Sequence, residues 1–137
     1  MESPNAIIPN IYIVPIEQAT LDIFPKVHCS CFFIAEHTTQ TLLIHAIALH
    51  FLQIGCRDFH FIGRQKEQWH LLFDAADIAF QSDCTTESIS LTKGYNSIAE
   101  FTEQINFIYS FCNCYLIYDD TFLLEKVKRI MNEFGML

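Results

Sequence analysis

The amino-acid sequence predicts an α/β protein built on a doubly wound, Rossmann-like, mostly parallel four-stranded sheet with helices on both faces. Two observations carry this expectation. Short apolar runs at Cys31–Ala35, Asp58–Ile62, Ser88–Thr92 and Tyr115–Tyr118 are each followed by a helical pattern, and strand–helix repetition implies parallel strands joined by crossover helices. A chain of 137 residues, 51% of them hydrophobic and 13 of them phenylalanine, is also long enough to bury a core between such layers. No linker, repeat or low-complexity stretch divides it. One compact unit is expected, with an N-terminal extension over residues 1–28 and an α/β domain over 29–137.

The elements follow in order. Ile11–Ile16 is β-like, but Pro9 and Pro15 remove two ladder donors, so an edge strand outside the four core strands is expected. Glu17–Phe24 suits a short helix ended by Pro25. After the first core strand, Thr38 or Thr39 can cap a helix over Gln40–Ile54, which Gly55 stops. That helix is apolar nearly all round, from Leu42 through Ile54, and so needs cover on two sides. A homodimer or partner contact there is one source of cover, and burial under its own chain is the other. Asp58–Ile62 leads through Gly63-Arg64-Gln65 into a helix over Lys66–Phe80. A third helix begins at Asn96 or Ser97, with Glu100 placed as in a capping box. Its apolar residues Ile98, Phe101, Ile105, Ile108 and Cys112 recur at helical spacing. Asp119 and Asp120 close the fourth strand and suit the N-terminus of the last helix.

Charge narrows the function classes. The formal net charge is −8. From Glu67 through Asp120 the chain carries nine carboxylates against one base, Lys93. Such a surface repels phosphate backbones, so no nucleic-acid contact is expected, and a protein partner with a basic surface is. The stretch Thr41–Ile54 is too short to span a bilayer, and Met1–Pro9 has neither the basic residue nor the apolar core of a leader. A cytoplasmic protein with no membrane contact is the expectation.

Motifs for chemistry are sparse. No glycine pattern for nucleotides stands on the scaffold, and no cofactor is expected. Ligands of open α/β sheets bind beyond the carboxyl ends of the strands, a rim that here carries Glu36, His37, Lys93 and Tyr95. His70, Asp74 and Asp77 share a helical face and read as a solvated polar face. Cys29 and Cys31 fall on one sheet face, as do Cys112 and Cys114. If their strands are neighbours, the four sulfurs can converge on zinc; otherwise they are buried small hydrophobes. Cys56 and Cys84 read as ordinary small hydrophobes. No His–carboxylate pair can be specified for any cysteine, so no nucleophile is assigned.

Gly55-Cys56-Arg57-Asp58-Phe59-His60-Phe61-Ile62-Gly63, followed by Trp69 and Asp74, resembles an uncharacterised family of small acidic bacterial α/β proteins. The resemblance covers roughly residues 29–118 and offers no known activity to carry over. Size, acidity and the lack of a catalytic motif instead point to a non-enzymatic interaction protein, such as an immunity or antitoxin-like inhibitor of a basic effector. Its candidate contacts are Asp74, Asp77, Asp119, Asp120, Arg64 and Trp69. A small-ligand sensor or enzyme using the strand-end rim, or an accessory subunit of a bacterial defence assembly, are the alternatives.

Overall fold

The computed structural model describes residues 5–8, 11–20, 29–82, 90–110 and 112–136. Among them run β1 (Asn5–Ile8), β2 (Ile11–Pro15), β3 (Cys29–Ile34), α1 (Thr41–Gln53), β4 (Asp58–Ile62), α2 (Lys66–Ser82), β5 (Leu91–Gly94), α3 (Ile98–Ile108), β6 (Asn113–Tyr118) and α4 (Thr121–Glu133). One sheet takes the order β1-β2-β6-β3-β4-β5. β2 through β6 are parallel to their neighbours, and β1 pairs antiparallel with β2. The chain winds outward from β3 through β4 to β5, then returns to place β6 on the other side of β3. This is the doubly wound α/β class.

Burial on both faces explains the run of apolar residues in β3. Its six residues are all buried and alternate between two cores. Cys31 and Phe33 join Ile44 and Phe51 of α1 and Trp69 and Phe73 of α2 on one face. Phe32 and Ile34 join Phe101 and Ile105 of α3 and Leu124 and Val127 of α4 on the other. Only a central parallel strand needs apolar residues at every position. Phe33 anchors the first core, with ring centroids 5.1–5.9 Å from Phe51, Phe61, Trp69 and Phe73.

Three expectations change. The parallel strands number five, because Ile11–Pro15 is not an edge strand. β2 pairs with β6 along five residues and with β1 on its other side. Pro15 sits at the last rung, where a missing N–H costs little, and Ile11 and Val14 are buried in opposite cores. The third core strand lies at Leu91–Gly94 rather than Ser88–Thr92, of which 88–89 fall outside the described residues. One 3-10 turn, Ile16–Gln18, stands where a helix over Glu17–Phe24 is expected; residues 21–28 and Cys84 also lie outside.

Helix ends follow the sequence closely. Ser97 accepts from the Glu100 N–H, and Asp120 caps α4 through the Leu123 N–H. Gly55 adopts φ +100° after α1, although Gln40 rather than Thr38 or Thr39 holds the N-cap position of that helix and makes no side-chain cap. The inner side of α1 is buried, yet Leu42 is 85% exposed and Ala46 is exposed.

Candidate functional site

The reversal of winding between β3 and β6 is where ligands of this fold class settle. Here the chain fills that position itself. Asp119, leaving β6, accepts hydrogen bonds from the N–H groups of Glu36 (2.8 Å), His37 (3.0 Å) and Thr38 (2.7 Å) in the loop after β3. Three converging amides would suit an anion, and a protein carboxylate already occupies them. Asp120 bonds the His37 ring at 2.8 Å. That hydrogen bond, with the nearby charges of Asp119, Asp120 and Glu36, raises the His37 pKa; together with the Leu123 N–H it lowers that of Asp120.

Glu36 turns the other way, accepting from the Arg64 N–H at 2.8 Å. It lines a crevice of about 390 Å³ with Arg64, Lys66, Tyr95 and Asn96. Gly63 at its floor has φ +112°, and a Cβ there would lie 2.5 Å from the Ala35 carbonyl oxygen. Of the expected rim residues, Glu36 and Tyr95 thus meet in one crevice. His37 stands apart with Asp120, and Lys93 faces a different groove.

That groove lies between α3 and the β4–β5 edge. Asp58 and His60, two residues apart on β4, point away from Phe59 and Phe61 and share the α3 side of the sheet. Asp58 Oδ2 accepts from Ser30 Oγ (2.7 Å) on the neighbouring strand and bonds His60 Nε2 (2.8 Å); His60 Nδ1 meets the Tyr95 hydroxyl at 2.8 Å. His60 is only 5% exposed, its ring stacked on Phe32 at 4.3 Å. Burial works to raise the Asp58 pKa, but hydrogen bonds from His60 and Ser30 and the His60 charge bring it below the usual range. Burial, then the charges of Asp58 and Glu100, push Tyr95 up to about 12. Asp58, ionised, accepts from the His60 Nε2–H, and the Tyr95 hydroxyl completes the chain at Nδ1. Asp58, His60, Lys93, Tyr95 and Gln104 line a groove of about 300 Å³. Sequence reading missed Asp58, His60 and Gln104. The available signal was a polar pair at i and i+2 in an otherwise apolar strand.

The expected acidic patch does not assemble. Asp74 is half-exposed and accepts from Thr92 Oγ1 (2.7 Å), which also lies 2.8 Å from His70 Nε2. Asp77 is 8% exposed and accepts from Gln81, so it is not on the exposed face. The β5 strand that holds Asp74 stands three strand spacings, about 14 Å, from the Asp119 strand. Trp69 is buried and donates its indole N–H to the Thr38 carbonyl at 3.0 Å, which removes it from any contact surface. Arg64 is exposed. The outer face of α2 instead carries Glu67, Leu71, Asp74 and Ile78 at i, i+4, i+7 and i+11, with Leu71 70% and Ile78 73% exposed.

The sulfurs sort differently from the zinc expectation. β3 and β6 are neighbours, but Ser30 is the partner of Cys114, and Cys31 of Tyr115. That one-residue offset sends Cys29 and Cys31 to one face and Cys114 to the other, so the four do not converge. Cys29 is joined to Cys56 by a disulfide, with Cα atoms 5.5 Å apart. The Cys31 sulfur lies within 4.8 Å of both. Burial, then the charges of Asp58, Cys114 and Cys112, push the Cys31 thiol pKa well up; burial, then Cys112 and Asp58, do the same for Cys114. Neither is an activated nucleophile.

No family model, no curated protein and no solved structure matches the chain. Among the described residues no helix is long and apolar enough to cross a membrane.

Proposed function

We propose that this protein is a non-enzymatic interaction domain that binds a basic protein partner through the outer face of α2, as an immunity or antitoxin-like inhibitor of that partner in the cytoplasm. The supporting observation is the stripe of Leu71 and Ile78 flanked by Glu67 and Asp74. Large aliphatic side chains aligned on one stripe, bordered by charge, are what a helix presents to a protein surface. A net charge of −8 adds attraction toward a cationic partner at long range, which raises the association rate more than the final affinity. Arg64, two residues ahead of α2, is exposed and stays a candidate contact.

Affinity capture from the protein's own cell extract, comparing wild type with a Leu71→Glu/Ile78→Glu variant, tests the reading. Both residues are exposed, so the variant keeps its fold. A single basic protein retained by the wild type, lost with the variant and eluted by salt, is the expected result. Equal recovery by both proteins, or recovery of no basic protein, overturns it. A stoichiometric assembly of several proteins would point to an accessory subunit instead.

A further inference from the structure

We propose that the groove between α3 and the β4–β5 edge is a binding site for a free α-amino acid, its ammonium group held by Asp58 and its carboxylate by Lys93 and Gln104. The site is separate from the α2 face, on the opposite side of the sheet, and does not depend on the interaction reading. It arises because β5 has only four residues and, among the described residues, pairs on one side alone, leaving the groove open beside β4.

The acceptor is pre-set. Asp58 Oδ2 takes both protein donors, Ser30 and His60, while Oδ1 takes none from the described residues. The carboxylate is nonetheless 28% exposed and lines the groove. A charge held rigidly by neighbours, with one oxygen left over, loses little freedom when it meets a ligand cation. Continuing inward, the His60 ring and Tyr95 hydroxyl fix that carboxylate through a chain of bonds 2.7–2.8 Å long.

The donor is equally specific. Lys93 is the only base between Glu67 and Asp120. It makes no ion pair with any described residue, and its Nζ sits 4.9 Å over the Tyr95 ring. Lys93 is the β5 partner of His60 in the register, so the ammonium and the Asp58 carboxylate border the same groove. Gln104 supplies an amide from α3.

Charge balance decides the ligand class. A simple anion would meet Asp58 and, in the adjoining depression that shares Lys93 and Tyr95, Glu100 and Glu103. A simple amine would be repelled by Lys93 and leave it unpaired. A zwitterion with its two charges a few bonds apart satisfies both, and a volume of about 300 Å³ admits a molecule of that size.

The test is titration of the isotope-labelled protein with each common L-amino acid at millimolar concentration, followed by backbone amide NMR. At least one should give saturable shifts at His60, Lys93 and Tyr95. The matching decarboxylated amine and N-acetyl derivative should each bind about tenfold more weakly or worse. In Lys93→Met, an exposed change that keeps the folded spectrum, the amino acid should lose its advantage over the amine. In Asp58→Asn, checked for fold in the same spectra, its advantage over the N-acetyl form should vanish. No saturable shift from any amino acid with a folded spectrum overturns the proposal, as does an amine that binds as tightly as its amino acid.

Discussion

Replacing Asp119 with alanine removes the carboxylate that ties the backbone of the loop after β3 to the end of β6, and leaves the side-chain contact of His37 with Asp120 beside it. The carboxylate accepts three backbone N–H groups, two of them part-buried and one exposed. Hydrogen bonds to a charged acceptor contribute about 1.5 kcal/mol each where water is partly excluded, and about 0.5 kcal/mol where it is not. Asp119→Ala should therefore lower stability by about 3.5 kcal/mol, which for a chain of this length lowers Tm by roughly 10 °C. Asp119→Asn keeps one oxygen but opposes an NH₂ to at least one loop N–H, and should cost about half as much. Urea denaturation measures the difference. Hydrogen exchange adds a local readout, since the amides of Glu36, His37 and Thr38 should lose protection while those of β4 keep theirs. An alanine variant within about 0.5 kcal/mol of wild type, the margin of an ordinary surface change, would refute the claim that this carboxylate holds the loop.

The Cys29–Cys56 bridge closes a loop with a sequence separation of 27, which chain-entropy arguments value at about 3.5 kcal/mol. Denaturation with and without reductant should differ by that order, and equal stability would refute the estimate. Disulfides are rare in reducing compartments, so thiol trapping at the moment of lysis should settle whether the cell holds the bridge or the dithiol. The His37–Asp120 pair gives a pH signature. His37 is raised, so its contribution is present below about pH 6.5 and lost as pH rises through its folded pKa; Asp120 is lowered, so its contribution is present above about pH 3.9 and lost as pH falls through its folded pKa. The window is therefore weakly acidic, and Asp120→Asn should bring the His37 pKa down in an NMR titration; an unchanged value would show that other charges set it.

The strand–helix order, the Ser97 and Asp120 caps and the turn at Gly55 were legible because each depends on neighbours a few residues away. What the sequence hid depends on partners distant in the chain. Pro15 argued for an edge, but an edge is defined by what pairs on either side, and β6 arrives about a hundred residues later. Asp74 and Asp77 look alike along a helix, and only the position of β5 and the sheet tells the half-exposed one from the buried one. Cys29 and Cys31 on β3 and Cys114 on β6 do lie on neighbouring strands, yet a register offset of one residue turns them to opposite faces. Cys56 joined Cys29 through proximity that no spacing announces. Asp58 and His60 were in plain view as a period-two polar pair, a pattern that in a buried strand marks a groove or a hydrogen-bonded cluster.

Counting carboxylates therefore measures two things that the structure pulls apart. A partner's contact depends on free oxygens, and several are spent within the chain. Asp119 holds a loop, Asp120 caps a helix and Asp77 is buried. Hydrogen bonding does not cancel their charge, however, so the field that a distant cation feels is still that of a chain with net charge −8. Glu67 and Asp74, beside Leu71 and Ile78, are where field and accessible surface coincide. Salt sensitivity of an association rate reports the whole field over a Debye length of about 8 Å at physiological ionic strength, and so cannot locate the contact. Loss of binding when Leu71 and Ile78 are replaced can, because burying those two side chains depends on the contact itself.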